Sequence, residues 1–204
     1  DNLNIEKSIA LVSDAGMPGI CDPGEELVKH TKIAGHKVIC IPGPCAAITA
    51  LASSGLPSSK FIFEGFLPKK KIDREKTLFD ISMNSKTTII FESPHRFLKL
   101  LKELKKFCGG SREIRVAREL TKKYEEHIGN NINNVIKFFQ NKEVIGEITL
   151  IISGVNKKTN LLVNKPVLKK DLEELIKAGL SLSEASKYLA RKNGIKKSLI
   201  YNLN

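Results

Sequence analysis

Two carboxylates and a lysine stand where acid–base chemistry would need them. Glu92 directly follows the apolar run Thr87–Phe91, and Glu119 follows Glu113–Ala117, with Lys122 close behind. A carboxylate at the end of a buried strand can take a proton from a hydroxyl group or orient it. A nearby ammonium can lower the pKa of that hydroxyl or grip a phosphate. Ion pairing of Glu119 with Arg118, Lys122 or His95 is the competing reading, and Lys122 and Lys123 also fit a solvated face. His95, beside Arg96 at a helix start after Pro94, suits loop ordering or phosphate contact better than base chemistry.

A second group is the loop Ser13-Asp14-Ala15-Gly16-Met17-Pro18-Gly19-Ile20-Cys21-Asp22-Pro23-Gly24, with three glycines and two prolines. The apolar run Ile9–Val12 ahead of it reads as a buried strand, and a helical segment follows from Glu25. A strand-to-helix loop of this kind lets backbone N–H and C=O groups approach a ligand. In open α/β sheets it lies at the end of the strands where ligands bind. A tight turn that only reverses the chain is the alternative. Farther on, Pro42-Gly43-Pro44 leads into Cys45-Ala46-Ala47, whose small side chains and free N–H groups at a helix start admit a polar ligand or serve helix packing. A third group, Lys69, Lys70, Lys71 and Arg74, reads as a basic loop between a strand and a helix, able to neutralise phosphates without reading sequence, with a plain solvated loop as the alternative. Phe66 beside it is expected in the core, with stacking on a base as the alternative.

The elements that must hold these residues fall into three blocks. Residues 1–57 alternate strand, glycine loop and helix: strand Ile9–Val12, helix Glu25–Ala34 closed by Gly35, strand His36–Ile41 and helix Ala46–Ser54 closed by Gly55. Residues 58–156 carry strands at Phe61–Leu67, Thr87–Phe91, Glu113–Ala117 and Glu147–Ser153, and helices at Asp73–Met83, Phe97–Phe107 and Asn133–Gln140. Repeated strand–helix units predict an α/β fold with a largely parallel or mixed sheet covered by helices. Residues 165–204 differ. Leu172, Leu175 and Ile176 fit one helix, Ala185, Tyr188 and Leu189 another, and Asn193-Gly194 precedes a third segment from Lys196. With nine basic residues against four acidic ones, this block reads as a small basic helical extension, either a helix-turn-helix-like bundle or a plain solvated extension.

Composition narrows the function classes. The chain has 204 residues, 41% of them hydrophobic and 27% charged, which allows a real core and argues against general disorder. No run approaches the roughly 18 apolar residues of a membrane span, and the polar start Asp1-Asn2-Leu3-Asn4 carries no secretory pattern. Cys21, Cys40, Cys45 and Cys108 show neither a C-x-x-C pair nor zinc spacing, so reduced, buried or semi-buried thiols in a cytoplasmic protein are expected. A net charge of +12 fits a polyanionic partner, nucleic acid first, and equally fits lysines that only solvate exposed faces.

Several phrases occur together in order: Leu11-Val12-Ser13-Asp14-Ala15-Gly16-Met17-Pro18, Ile41-Pro42-Gly43-Pro44-Cys45-Ala46-Ala47, Gly55-Leu56-Pro57, Phe63-Glu64-Gly65-Phe66-Leu67-Pro68, Phe91-Glu92-Ser93-Pro94-His95-Arg96, Ala117-Arg118-Glu119-Leu120-Thr121-Lys122 and Gly146-Glu147. From Ser8 onward this string resembles the ribosomal RNA small subunit methyltransferase I family of the tetrapyrrole methylase-like superfamily. The resemblance implies two α/β subdomains of the tetrapyrrole methylase type, here 1–57 and 58–156, with S-adenosylmethionine bound between them and no metal required. It also implies a homodimer and methylation of a cytidine ribose 2′-hydroxyl in small-subunit ribosomal RNA. Family members carry a further segment ahead of the point matching Ser8, so a truncated first subdomain is expected. On this basis Ser13, Asp14, Ala15, Gly16, Met17, Pro18, Cys45, Ala46, Ala47, Phe91 and Leu120 are the candidate donor-binding residues. Glu92, Glu119 and Lys122 are the candidate catalytic residues, and Lys69, Lys70, Lys71, Arg74, His95 and Arg96 the candidate RNA contacts. A non-catalytic RNA-binding fragment, or a relative acting on a tetrapyrrole or diphthine, are the rival readings.

Overall fold

The computed structural model describes residues 7–155, 165–193 and 197–203. They form two compact units, one ending at Gly154 and the other beginning at Val155. In the first unit the order is α1 (Glu25–Ile33), α2 (Ala46–Ser54), β1 (Phe61–Phe66), α3 (Lys71–Met83), β2 (Thr87–Glu92), α4 (Pro94–Cys108), β3 (Glu113–Arg118), β4 (Glu126–Asn131), α5 (Ile132–Phe139) and β5 (Ile148–Ile152). The second unit holds α6 (Lys165–Lys177), α7 (Leu182–Asn193) and α8 (Lys197–Tyr201).

The strands make one mixed sheet in the order β1-β2-β5-β3-β4. β1 and β2 run parallel, joined through α3, and β5 inserts antiparallel between β2 and β3. β2 and β5 are buried along nearly their whole length, because they lie inside the sheet with both faces covered. On one face, Ile90, Ile114, Val116, Leu150 and Ile152 meet helices α3, α4 and α5 in the larger core. α4 shows how sequence dictates this layer. Pro94 opens it, lysines close its last turn, and Phe97, Leu100, Leu101 and Leu104 recur at helical spacing and are all fully buried. On the other face Ile89, Ala117 and Ile151 meet α2 as the one packed helix among the described residues, through Ala47, Ala50 and Leu51.

A register shift between Phe63 and Gly65 in the β1–β2 pairing changes which residues share a face. Without it Phe63 and Phe66, an odd number of positions apart, would point to opposite sides. With it both rings lie against Phe91, at centroid distances of 5.0 Å and 5.8 Å.

Several expectations are corrected. Ile9–Val12 and His36–Ile41 are not strands but largely exposed chain without regular secondary structure, with Val12 80% and Ile41 77% exposed. No strand among the described residues pairs with either run, so their apolar pattern has no sheet to enter. α1 likewise buries none of its residues. α3 begins at Lys71, so Lys71 and Arg74 are helical and not part of a loop, and α4 begins at Pro94. β4 was not expected: its sequence Glu-His-Ile-Gly-Asn-Asn is polar, as an edge strand permits. Phe66 is 52% exposed at the end of β1, not in the core. The cysteines are free, and Cys21 and Cys40 are exposed where burial was expected.

In the second unit Leu168, Leu172, Ala185, Leu189 and Ile200 form a core of their own. Ser181 and Glu184 make a capping box at the start of α7. The Ser181 hydroxyl accepts from the Glu184 N–H at 3.2 Å, and the Glu184 carboxylate accepts from the Ser181 N–H at 3.2 Å. Tyr188, assigned from its spacing to the apolar stripe with Ala185 and Leu189, is instead exposed. The expected break at Gly194 and the start of the third segment at Lys196 lie outside the described residues. No helix among the described residues is long and apolar enough to cross a membrane.

Candidate active site and a basic pocket on opposite faces of the sheet

The α2 face is where the candidate donor residues gather. α2 starts after the turn Pro42-Gly43-Pro44, with Cys45 in an extended conformation and no side chain capping the first N–H groups. The helix start therefore keeps hydrogen-bond donors to offer to a polar or anionic group. The Ser13–Pro18 loop packs beside it. A Cβ on Gly16 would lie 3.6 Å from the Pro44 carbonyl, and one on Gly43 would lie 3.8 Å from the Met17 methyl. Ser13 Oγ donates to the carbonyls of Ala15 (3.1 Å) and Gly16 (3.2 Å), which fixes the loop's own turn. Cys45, Phe63, Phe91 and Leu120, all half-buried, pack around Ala47, Ile89 and Ala117 and form an apolar floor.

Cys21 joins this region from the same loop. A Cβ on Gly65 would lie only 2.8 Å from Cys21 Sγ, so glycine is what lets the thiol sit against β1. Gly65 also has a φ of +60°, which glycine adopts without strain. Although Cys21 is exposed as a residue, partial desolvation of its thiol pushes the pKa up, with Asp22 and Cys45 adding to the shift and a backbone hydrogen bond from Phe66 opposing it. The small residues, the uncapped helix start and the apolar floor suit a ligand with both a polar, charged end and a flat apolar part.

Glu92 does not face this region. Phe91 belongs to the α2 side, and strand alternation turns Glu92 to the α3/α4 side, where its side chain is fully buried. There Oε1 lies 2.6 Å from Arg96 Nη2 and accepts from the Ser93 N–H at 2.9 Å, while Oε2 lies 3.4 Å from Arg74 Nη2. Arg74 also reaches Glu103 on α4 at 2.8 Å. Above this cluster Pro68, Lys69, Arg74, Ser93, His95, Arg96 and Lys99 line a pocket of about 520 Å³. Four of the candidate RNA contacts, Lys69, Arg74, His95 and Arg96, thus come together, while Lys70 and Lys71 are exposed and outside the lining. Lys99 was missed, although its spacing from Arg96 puts both on one face of α4 once the helix starts at Pro94.

Glu119 and Lys122 sit at the end of β3 in a tight loop. Glu119 has a φ of 52° and Thr121 a φ of 66°, both in the left-handed region. The Glu119 carboxylate accepts from the Glu147 N–H at 2.8 Å and from Lys122 Nζ at 3.0 Å, and Lys122 also reaches the Glu147 carboxylate at 3.1 Å. The Glu147 amide, and after it the Lys122 ammonium, hold the Glu119 carboxyl below its usual range. Hydrogen bonds from Lys122 to Glu119 and Glu147 raise the Lys122 ammonium in turn. Arg118 pairs with Glu126 instead, at 3.0 Å. Between Glu119 and Lys122, Leu120 reaches the apolar floor of the α2 face.

Residues 1–135 match the family described as tetrapyrrole (corrin/porphyrin) methylases. Ribosomal RNA small subunit methyltransferase I from Synechocystis is 40% identical over 202 residues, which cover 99% of this chain and 72% of that protein. Its counterpart from Haemophilus influenzae is 41% identical over 203 residues, covering 98% and 71%. The chain belongs to the ribosomal RNA small subunit methyltransferase I family. Among solved structures it is similar in fold to the methyltransferase CobJ, with a TM-score of 0.53 and 19% identity over 69% of this chain and 62% of that one. A cobalt precorrin-4 methyltransferase, CbiF, gives a TM-score of 0.52 and 15% identity over 68% and 61%. The chain therefore spans less than two thirds of either of these enzymes. Residues 7–57 contribute one packed helix, α2, to the second face of the sheet.

Proposed function

We propose that the chain is an S-adenosylmethionine-dependent methyltransferase that modifies small-subunit ribosomal RNA at the ribose 2′-hydroxyl of a cytidine. It would work in the cytoplasm as a homodimer. The observation that carries this reading is the convergence of the uncapped start of α2, the Ser13–Pro18 loop and the Phe91–Leu120 floor on one side of the sheet. The first N–H groups of α2 and the backbone of the loop would hold the polar end of the donor. Cys45, Ala46 and Ala47 leave room for close approach, and Phe91 and Leu120 offer an apolar surface. The donor supplies an electrophilic methyl group on a sulfonium. The protein's task is then to align a hydroxyl with it and remove the proton. Glu119, held anionic beside Lys122, is the carboxylate we place nearer this reaction, because Glu92 faces the other side of the sheet.

Calorimetric titration with S-adenosylmethionine in the absence of RNA tests the reading. Saturable one-site binding is expected, and Gly16→Trp should abolish it, because a large side chain at a φ of 78° beside Pro44 would fill the loop's approach to α2. Transfer of labelled methyl to unmodified small ribosomal subunits is the second expected result. A folded chain with neither donor binding nor methyl transfer would refute the proposal.

A further inference from the structure

We propose that the pocket of Lys69, Arg74, Ser93, His95, Arg96 and Lys99 holds a backbone phosphate of the RNA away from the reacting nucleotide, with Glu92 as the positioning residue that aims its arginines. This rests on the RNA-methylation reading and adds to it a second contact, on the opposite face of the sheet from the donor residues. The pocket is built rather than incidental. Its base is a fully buried carboxylate whose two oxygens are divided between two arginines and the Ser93 amide. A buried carboxylate without partners would be strongly unfavourable, so Glu92 obliges Arg74 and Arg96 to stay.

The arginines differ in what they have left to offer. Arg74 is buried and shared between Glu92 and Glu103, so its charge is largely answered. Arg96 is 34% exposed. It spends Nη2 on Glu92 and Nε on Ser93 Oγ at 3.3 Å, and among the described residues Nη1 has no hydrogen-bond acceptor. A guanidinium fixed at two corners presents its third corner without first losing side-chain freedom. Lys69 and Lys99 stand exposed on the same pocket wall and pair with no carboxylate among the described residues. Two buried or half-buried carboxylates therefore face four cations here, and the surplus is positive. A phosphodiester oxygen, with its fixed charge and several acceptor sites, suits that surplus and the fork of Arg96.

The test is RNA binding by the 204-residue chain, followed by fluorescence titration with small-subunit ribosomal RNA over a range of salt concentrations. Arg96→Ala and Lys99→Ala should each weaken binding about tenfold and each lower the slope of log affinity against log salt by about one. Donor affinity should stay at the wild-type value. Lys137→Ala, which removes the same charge from an exposed site on α5, should leave the slope unchanged. The decisive variant is Glu92→Gln. If Glu92 only neutralised the arginines, removing its charge would strengthen RNA binding; as a positioning residue, its loss should weaken binding several-fold even though net charge rises. Arg96→Lys should recover the salt slope but not the full affinity.

Unchanged RNA binding in Arg96→Ala and Lys99→Ala, or equal losses in Lys137→Ala, would overturn the pocket. Tighter RNA binding by Glu92→Gln would overturn the positioning role. Should Glu92→Gln fail to fold, as its melting curve would reveal, the variants of half-buried Arg96 and exposed Lys99 decide the pocket, and Ser93→Ala, which removes the other anchor of Arg96, decides the positioning. Loss of all salt-dependent RNA binding by the wild-type chain, with donor binding intact, would instead overturn the RNA reading itself.

Discussion

The two faces of the central sheet are covered to different degrees, and the difference separates stability from ligand handling. On one side α3, α4 and α5 seal the strands, and Leu100, Leu101, Leu104, Ile90 and Ile114 have no exposed surface. On the other, α2 is the one helix among the described residues that covers the middle of the sheet. Phe63, Phe91, Leu120 and Cys45 are left half-buried, and a recess of about 290 Å³ opens between α2 and strands β3 and β4. A sealed face can gain nothing by admitting a ligand. An open one keeps apolar surface in reserve for it. Charge follows the same division in an inverted way, since the sealed side carries its basic pocket at the rim, where β1 and β2 end.

Truncation on the sealed face should have the largest effect on stability. Leu100→Ala removes a fully buried side chain between α4 and the sheet, and a loss of about 2–5 kcal/mol is expected by denaturant unfolding. Donor affinity in the folded fraction should not change. A loss below about 1 kcal/mol would mean that this face is not the stabilising one. Next in size is Gly146→Ala at the sheet's end. Gly146 has a φ of +90°, and a Cβ there would lie 2.5 Å from the Glu119 carboxyl, so backbone strain and displacement of Glu119 should cost about 1–3 kcal/mol. It should also lower methyl transfer more than donor binding, because the displaced group is the carboxylate we place near the reaction.

On the open face the balance should reverse. Phe91→Ala removes a half-buried ring and two edge-to-face contacts, at a cost of about 1–2 kcal/mol. Donor affinity should fall by tenfold or more, a far larger functional effect than Leu100→Ala produces. Equal stability losses at Leu100 and Phe91, with donor binding intact in both, would erase the distinction between the faces.

The sealed face was the legible one. Its strands and helices follow from apolar runs and from i, i+3, i+4 spacing: β2 and β5 lie within a residue of where those patterns put them, and α4 contains the expected helix but starts earlier. Ile9–Val12 and His36–Ile41 carry the same kind of apolar run, yet they are not strands, because a strand is made by its neighbours as much as by its own residues. β4 escaped for the opposite reason: an edge strand needs no apolar face to pair. At the site, side-chain direction was the missing quantity. Glu92 reads as a candidate base until the pleat of β2 turns it toward Arg74 and Arg96, and a one-residue change of register would have reversed that. The gathering of Lys69, Arg74, His95 and Arg96 depended on where α3 and α4 begin. Pro94 signals the α4 start, ahead of the apolar periodicity that begins at Phe97.

The smallest expected effect is also the most local, and it compares the loop after β3 with the strands beside it. Glu119 is held below the ordinary carboxylate value of 4.5 by the Glu147 amide first and Lys122 second. Glu125 is held low by His127 first and then by the Thr121 amide. A carboxylate whose folded pKa is depressed contributes stability that is present above its unfolded value and lost as pH falls through the folded one. Lys122, raised above 10.5, contributes in the opposite sense, and its share is lost only as pH rises through that higher value. The loop should therefore be tightest across the whole neutral range and loosen first on acidification. The amide resonances of Glu147 and Thr121 should titrate with midpoints below 4.5, while those of Ile89 and Ile151, in the covered strands, should not move over the same interval. Lys122→Met should shift the Glu147 midpoint upward only part of the way to 4.5, because the amide hydrogen bond, the larger cause, survives. A midpoint at or above 4.5 in the wild-type chain would mean that Glu119 is not held by this loop. Its place beside the open face would then have to be set by the bound donor or RNA rather than by the fold.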